Sequence, residues 1–233
     1  MDEGWTRWLL DQYRIPFTVV HAKDLRAGNL NAKYDAIILP EQNARQIAGG
    51  PMGQYPDSLK GGVGAEGAAG LKAFVENGGT LLAFNDASEY AIEALGLPVK
   101  NVLAGLRNTD FYAPGSIFKA EFDTSSPLAA GLTAPVQAVW FEDSPAFEVT
   151  DPSRATVVAR YQAQGDPLLS GWLLGGAKLN GKAAMVDVKQ GKGHVVLYGF
   201  RPQYRGQTMS TFPLVWNALK APGGGMPVTK AMQ

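Results

Sequence analysis

The stretch Gly78-Gly-Thr-Leu-Leu-Ala-Phe-Asn-Asp-Ala-Ser-Glu-Tyr-Ala-Ile-Glu-Ala-Leu-Gly96 predicts a strand, a sharp turn and a helix in immediate succession. Two glycines end a preceding helix, Thr80 to Phe84 form an apolar β-run, and Asn85 with Asp86 begins a new helix. In open α/β sheets, ligands bind and nucleophiles are mounted at the turn after a strand's carboxyl end. The turn residue Asn85 is therefore the first candidate site residue.

Upstream of this stretch, helical and strand patterns alternate. We expect a helix from Asp2 to about Arg14, with an aromatic face that packs on a sheet. Strands are predicted for Phe17-Thr-Val-Val20 and for Tyr34-Asp-Ala-Ile-Ile-Leu39, which Pro40 ends. Glu41 follows the second strand, so its carboxylate is a candidate for lining a cleft, with a solvated loop residue as the alternative.

The segment from Gly49 to Gly70 is rich in glycine and poor in apolar residues, which predicts a long loop. Gly62, Gly64 and Gly67 match the G-x-G-x-x-G spacing of dinucleotide-binding turns, but no predicted strand precedes them as that site requires. The spacing therefore favours a flexible entry into a helix that runs from Ala65 to Asn77.

The region of about 99–188 is β-rich, contains no long helical period, and is predicted to be an antiparallel extension inserted into a single α/β domain of residues 1–220. Its apolar runs cover residues 117–122, 136–141, 155–161 and 183–188. A last strand over residues 193–200 and a helix over 212–220 follow, and 221–233 are predicted to be a flexible tail. The fold class we predict is flavodoxin-like: an open, mostly parallel sheet with helices on both faces and this β-rich extension.

Composition argues against several functions. The chain carries 21 Lys+Arg and 21 Asp+Glu residues, so it has no basic footprint for nucleic acid or an anionic membrane surface. It has no cysteine, which excludes disulfides, thiolate metal sites and a cysteine nucleophile. An acidic start and the lack of an apolar run near ~20 residues predict neither a signal peptide nor a membrane span. We expect a soluble chain without a cofactor; the compartment stays open, and a longer parent protein could be exported.

The turn at Asn85 and a late turn resemble those of class I glutamine amidotransferase-like domains. Catalytic members carry a cysteine shortly before an Ala-Leu-Gly, and a late Phe-His-Pro-Glu supplies the histidine and glutamate of a Cys-His-Glu triad. Aligning Ala94-Leu-Gly96 and Phe200-Arg-Pro-Gln203 with these motifs puts Asn85 at the cysteine, Arg201 at the histidine and Gln203 at the glutamate. Asparagine is not activated as a nucleophile, arginine stays protonated and glutamine has no charge. The resemblance thus implies a framework that has lost all three catalytic identities.

Four motifs resemble the C-terminal amidotransferase-like domain of bacterial carboxypeptidase A-like zinc peptidases. They are Asp2-Glu-Gly-Trp-Thr-Arg-Trp8, Leu25-Arg-Ala-Gly-Asn-Leu30, Phe111-Tyr-Ala-Pro-Gly-Ser116 and Gly199-Phe-Arg-Pro-Gln-Tyr-Arg-Gly-Gln-Thr208. The resemblance implies an accessory domain with the peptidase upstream and Met1 internal to a longer protein. The chain contains no H-x-x-E motif, and His21 and His194 have no partners at ligand spacing, so no metal site is predicted.

The leading hypothesis is a catalytically inactive accessory domain that binds a small anionic ligand or packs against an upstream peptidase domain. The candidate ligand-binding residues all follow predicted strand ends: Asn85, Asp86, Glu41, Arg201, Gln203 and Arg205. The arginines could clamp a carboxylate or phosphate, or one of them could pair with Glu41 or Asp86 and lock the sheet edge. For Asp86 a capping box with Glu89 is favoured over catalysis.

Two alternatives belong to other classes of protein. A stand-alone hydrolase of ester, lactone or amide bonds would use Ser88 as nucleophile, His194 or His21 as base, and Asp86 or Glu41 as the orienting acid. Ser88, however, has no G-x-S-x-G context. A self-associating structural module, hence a homo-oligomer, is suggested by the trimerisation domains of some bacterial β-galactosidases, which resemble the same dismantled fold.

Overall fold

A computed structural model describes residues 1–50 and 61–220 of the 233-residue chain. The α-helices in these ranges are Asp2–Gln12 (α1), Ala22–Ala27 (α2), Ala44–Gly49 (α3), Gly64–Glu76 (α4), Ala87–Leu95 (α5) and Phe212–Lys220 (α6). The strands are Ala36–Leu39 (β1), Thr80–Phe84 (β2), Val99–Asn101 (β3), Ser116–Phe122 (β4), Val136–Phe141 (β5), Phe147–Val149 (β6), Ala155–Tyr161 (β7), Leu168–Ser170 (β8), Ala183–Gln190 (β9) and Gly193–Tyr198 (β10). The predicted tail over 221–233 and the middle of the predicted loop from Gly49 to Gly70 lie outside the described residues.

The described strands form one mixed sheet in the order β1-β2-β10-β9-β7-β4-β5. The pairs β1–β2 and β2–β10 are parallel, whereas the pairs that link β10 through β9, β7 and β4 to β5 are antiparallel. The expected parallel sheet is therefore present around the turn after β2, while the β-rich region makes the whole sheet mixed. Antiparallel pairing results because no helix crosses over between β4 and β9, and short connections return the chain in the opposite direction.

The sheet curls, so that its last strand approaches the segment after β10. The backbone N–H of Arg201 donates to the carbonyl oxygen of Trp140 in β5 at 3.1 Å. The curled face encloses an aromatic-rich core that α6 closes with Leu214 and Val215. Its large buried side chains are Phe84, Phe118, Phe141, Tyr161, Tyr198 and Phe200. This curl brings the end of β5 beside the end of β10.

A second core lies on the opposite face of the sheet. Leu71 and Phe74 of α4 and Tyr90 of α5 pack there with sheet residues such as Leu81 and Val195. With α6 on the other face, helices cover both faces, as the apolar periodicities predict. Within the described ranges, no helix is both long and apolar enough to cross a membrane.

The predicted strand over residues 17–20 is wrong. The segment is assigned no regular structure, and Phe17 and Val19 are 37% and 42% exposed. Its β-branched residues favour an extended backbone, but a strand also needs a hydrogen-bonded neighbour. The short helices α2 and α3 were not predicted, since six residues carry too little periodicity.

The glycine-rich approach to α4 serves close helix packing. At Gly67 an added Cβ would lie 2.6 Å from Cγ1 of Val63, and at Gly70 it would lie 2.4 Å from the carbonyl oxygen of Leu25 in α2. Because so short a contact with the backbone of α2 excludes a side chain, Gly70 allows α2 and α4 to approach each other. Of the three glycines with dinucleotide spacing, Gly62 and Gly67 have close neighbours that an added Cβ would meet, whereas Gly64 has none within 4 Å.

Candidate functional site

The turn after β2 forms the predicted elbow. Asn85 has a φ of 52°, a left-handed conformation that asparagine tolerates better than most residues. Its backbone N–H donates to the carbonyl oxygen of Tyr198 at 2.9 Å, which extends the pairing of β2 with β10. The residue is 1% exposed, and its Nδ2 donates to the backbone carbonyl of Glu142 at 3.3 Å. The elbow thus presents a buried amide fixed against the chain after β5.

Arg201, beyond the carboxyl end of β10, is surrounded by acids. Its Nη1 lies 3.2 Å from Oδ2 of Asp2 and 3.7 Å from Oε2 of Glu142, and its Nη2 lies 3.8 Å from Oε1 of Glu41. The Arg201 side chain is only 14% exposed. We refer to Arg201, Asp2, Glu41 and Glu142 as the ion-pair cluster. Of the two predicted partners of an arginine, Glu41 is therefore in contact, and the guanidinium donors face carboxylates of the chain itself.

Gln203 ties the same turn to α1. It is 2% exposed, and its Nε2 donates to Oγ1 of Thr6 at 3.1 Å and to the carbonyl oxygen of Asp2 at 3.4 Å. The Thr6 hydroxyl in turn donates to the same carbonyl oxygen at 2.8 Å. The residue at the expected glutamate position therefore holds the N-terminal helix and does not orient a base.

Aromatic stacking supports the turn that carries Arg201 and Gln203. The rings of Trp140 and Tyr204 are stacked, with centroids 3.9 Å apart and an interplanar angle of 9°. The guanidinium of Arg205 lies 5.1 Å from the centroid of Tyr204, and that of Arg201 lies 6.0 Å from it. Arg205 is exposed and makes no ion pair with a described residue, so only Arg201 enters the ion-pair cluster.

Asp86 does not cap α5, so the predicted capping box is wrong. Its backbone has φ −61° and ψ −24°, which is helical, and its side chain accepts no capping hydrogen bond. A capping carboxylate requires an extended backbone to reach the amides of the first turn. Burial raises the pKa of Asp86 to about 7; repulsion from Glu41, Glu89 and Asp143 adds to this effect, and Arg201 opposes it. Burial likewise raises the pKa of Glu41.

The residues of the hydrolase alternative are not brought together. Ser88 is fully buried, and its hydroxyl donates to the carbonyl oxygens of Ala83 at 2.9 Å and Tyr198 at 3.2 Å. His194 is at the opposite end of β10, with its Nδ1 3.0 Å from Oδ1 of Asp187. Hydrogen bonding to Asp187 raises the pKa of His194. Four strand residues, or ~13 Å, separate His194 from the elbow end of β10, and His21 caps α2 instead.

Two residues of the site were not predicted, namely Asp2 and Thr6. Asp2 and Arg201 are 199 positions apart, so no local pattern connects them. One signal exists: the motifs of residues 2–8 and 199–208, which carried the zinc peptidase-associated resemblance, contact each other. Gly206 lies so close to Trp8 that an added Cβ would be 2.6 Å from the indole ring.

Within the described ranges, no group of three or more His, Asp or Glu side chains is arranged to hold a metal ion. A groove of about 520 Å³ lies away from the elbow, over β6, β7 and β9, and includes Arg160 and Lys182 in its wall.

Comparison with solved structures identifies the fold. A cytoplasmic protein from Salmonella typhimurium matches with a TM-score of 0.56 and 16% identity, over 93% of this chain and 85% of that chain. A protein named as a GMP synthase subunit, from Thermoplasma acidophilum, matches with a TM-score of 0.57 and 10% identity, over 94% and 87%. These likenesses show the fold alone, which is a glutamine amidotransferase-like α/β fold.

A β-galactosidase from Bacillus circulans gives a TM-score of 0.38 and 16% identity over 66% of this chain and 20% of that chain, which is too low to support the self-association hypothesis. No protein-family model and no curated protein sequence matches the chain.

Proposed function

We propose that this chain is a non-catalytic glutamine amidotransferase-like accessory domain whose former reaction site serves packing. The observation that carries the proposal is the contact of Arg201 with Asp2, Glu41 and Glu142. A general base must release and accept a proton near neutral pH, whereas a guanidinium stays protonated, the more so beside carboxylates. Asn85 is buried and supplies no nucleophile.

Packing is favoured over the binding of a small anion. An incoming carboxylate or phosphate would have to displace the acids that already contact Arg201, and it would meet the charges of Asp86 and Asp143 nearby. Like charges at short range repel strongly where water is partly excluded. The anion clamp considered for Arg201 and Arg205 thus has little support.

The partner we propose is a carboxypeptidase A-like zinc peptidase domain in the same polypeptide. The proposal is supported by the motifs of residues 2–8 and 199–208, which resemble the peptidase-associated domain and meet in the ion-pair cluster. The gene sequence upstream of Met1 tests this partner. An in-frame peptidase domain would support it, and a stop codon directly before Met1 would contradict it.

Turnover assays test the absence of catalysis. The purified chain is incubated with L-glutamine and with a panel of activated esters, lactones and amides, beside matched Asn85→Ala and Ser88→Ala variants. We expect the same background rate for all three proteins, because neither residue can act on a substrate. Wild-type turnover that is lost in either variant would contradict the proposal.

Self-association is the second candidate function. Leu169, Trp172 and Leu174 are 52%, 64% and 44% exposed and lie within six consecutive residues. Exposed apolar residues in a contiguous run are typical of protein interfaces. Sedimentation velocity over a range of concentrations tests this candidate: a larger species that Trp172→Ser abolishes would support it, and a monomer throughout would contradict it.

A further inference from the structure

The carboxylates next to the elbow outnumber the single guanidinium of Arg201. Glu41 and Asp86 follow the paired strands β1 and β2, in which Leu39 is aligned with Ala83. Asp143 follows Glu142, whose carbonyl oxygen accepts a hydrogen bond from Nδ2 of Asn85, and both Glu41 and Asp143 act electrostatically on Asp86. We refer to these three carboxylates, together with the amide of Asn85, as the acid corner. Asp143 also has a φ of 48°, so the corner is bordered by left-handed residues at two turns, Asn85 and Asp143.

The local charges do not balance. Five carboxylates belong to the ion-pair cluster and the acid corner: Asp2, Glu41, Asp86, Glu142 and Asp143. The cationic groups that act on Glu41 are the guanidinium of Arg201 and the amino group of Met1. Carboxylates that are partly removed from water need a compensating charge or hydrogen-bond donors. Protonation of Asp86 relieves part of this excess of negative charge near neutral pH, and a bound cation would relieve the rest.

Buried acceptors lie in the same place. Asn85 lies between Asp86 and the turn at Glu142, and its Nδ2 is held by the Glu142 carbonyl. Its Oδ1 is buried and accepts no hydrogen bond from a described residue, and the same is true of Oε2 of Glu41. A buried acceptor that stays unpaired costs about 1–3 kcal/mol. An amide oxygen and a carboxylate oxygen in this place thus lack a donor from the described residues.

We propose that the acid corner binds a cationic organic group, an alkylammonium or a guanidinium, whose N–H donors reach Asp86, Glu41 and Oδ1 of Asn85. These cations carry three to five donors spread in space, which suits separated acceptors. A metal ion is disfavoured, because no three acidic or histidine side chains of the described residues converge as metal ligands. The inference rests on the proposed function, since it gives the packing partner a lysine or arginine that enters the former reaction site.

Binding of a matched pair of probes tests the proposal. The ¹⁵N-labelled chain is titrated with Nα-acetyl-arginine amide and, separately, with Nα-acetyl-citrulline amide, which has nearly the same shape without the charge. We expect the arginine probe to shift the backbone amides of Asn85, Asp86 and Asp143 in a saturable manner, and the citrulline probe to leave them unchanged. Equal shifts with both probes, or none with either, would overturn the proposal.

Two variants separate binding from folding. Asp86→Asn keeps the side-chain shape and removes one charge. We expect it to lower the affinity for the arginine probe by about tenfold, as for loss of a charge-assisted contact. Glu121→Gln removes an exposed charge at the far end of β4 and should leave the affinity unchanged. Unchanged affinity in a folded Asp86→Asn chain, judged by its amide spectrum, would overturn the proposal.

Further titrations identify the source of the cation. A pentapeptide with a central arginine that binds more tightly than the free probe supports a protein side chain, and equal affinity supports a small amine or guanidine; both agree with the proposed site. If Mg²⁺ or Ca²⁺ shifts the same amides at lower concentration, the assignment of the site to an organic cation would be overturned. If no probe binds, the cation site is wrong, but the proposed function still stands or falls with the turnover assays.

Discussion

The guanidinium of Arg201 lies 3.2 Å from the carboxylate of Asp2, a residue 199 positions away in the sequence. Through this contact, α1 is joined to the end of β10 at the place where the resemblance expects a histidine. Gln203 adds a second connection, to Thr6 on the same helix. The two positions that would serve catalysis in the resembling enzymes therefore hold the N-terminal helix in place.

Replacement of Arg201 tests its structural role. In Arg201→Met three carboxylates lose their cation, and we expect the free energy of unfolding to fall by about 3 kcal/mol, as when one partner of a buried ion pair is removed. Urea denaturation followed by circular dichroism gives the value. Arg205→Met is the control, because Arg205 is exposed, and should lower the stability by less than about 1 kcal/mol. If Arg201→Met lowers the stability as little as Arg205→Met does, the structural role of Arg201 would be contradicted.

The titration of Asp86 predicts a pH-dependent stability. Its pKa is raised from 3.8 to about 7 in the folded chain, so the folded state binds its proton more tightly than the unfolded state does. Ionised Asp86 destabilises the folded chain. This loss of stability is absent below the pKa of the unfolded state, grows as the pH rises, and is complete above about pH 7. Asp86→Asn should therefore gain stability relative to wild type from acidic to neutral pH, as measured by urea midpoints. A difference between the two chains that stays constant with pH would show that the pKa is not raised.

The left-handed backbone at Asn85 predicts an unusual order of stability. Asn85→Gly and Asn85→Ala both lose the hydrogen bond to Glu142, but alanine is also sterically strained at a φ near 52°. We expect the glycine variant to be the more stable by about 1 kcal/mol. At Lys72, in the middle of α4, the same pair of substitutions should show the reverse order. Thermal denaturation measures both pairs, and the same order at both positions would refute the strained elbow.

The Ser88 hydroxyl is predicted to matter for folding only. Ser88→Ala removes the single O–H donor that the carbonyl oxygens of Ala83 and Tyr198 share, and we expect a loss of about 1–2 kcal/mol of unfolding free energy. Ser125→Ala, in an exposed turn, is the matched control and should change stability less. A fully stable Ser88→Ala protein would contradict this role of the hydroxyl.

The local parts of the fold were predictable. The bounds of β2, β5, β7 and α6 agree with the sequence patterns, because each has a continuous or periodic apolar run that ends at glycine, proline or a polar residue. Residues 17–20 have the same local pattern, but no described strand pairs with them. Pairing is a property of the tertiary structure, and composition does not report it.

The site was predictable only where strand ends converge. Glu41, Asn85 and Arg201 follow β1, β2 and β10, and the carboxyl ends of neighbouring parallel strands meet at one edge. Asp2 comes from a helix at the other end of the chain, and Glu142 is brought in by the curl of the antiparallel region. Neither relationship follows from spacing, so of the three acids that contact Arg201 only Glu41 was predicted as its partner.

A double-mutant cycle on Asp2 and Arg201 tests the central claim most directly. The free energies of unfolding are measured for wild type, Asp2→Asn, Arg201→Met and the double variant under identical conditions. A structural lock predicts a coupling energy of about 2 kcal/mol, in the upper range for contacting residues. A coupling near zero would contradict the account, because the contact of Arg201 with Asp2 would then not hold α1 in place.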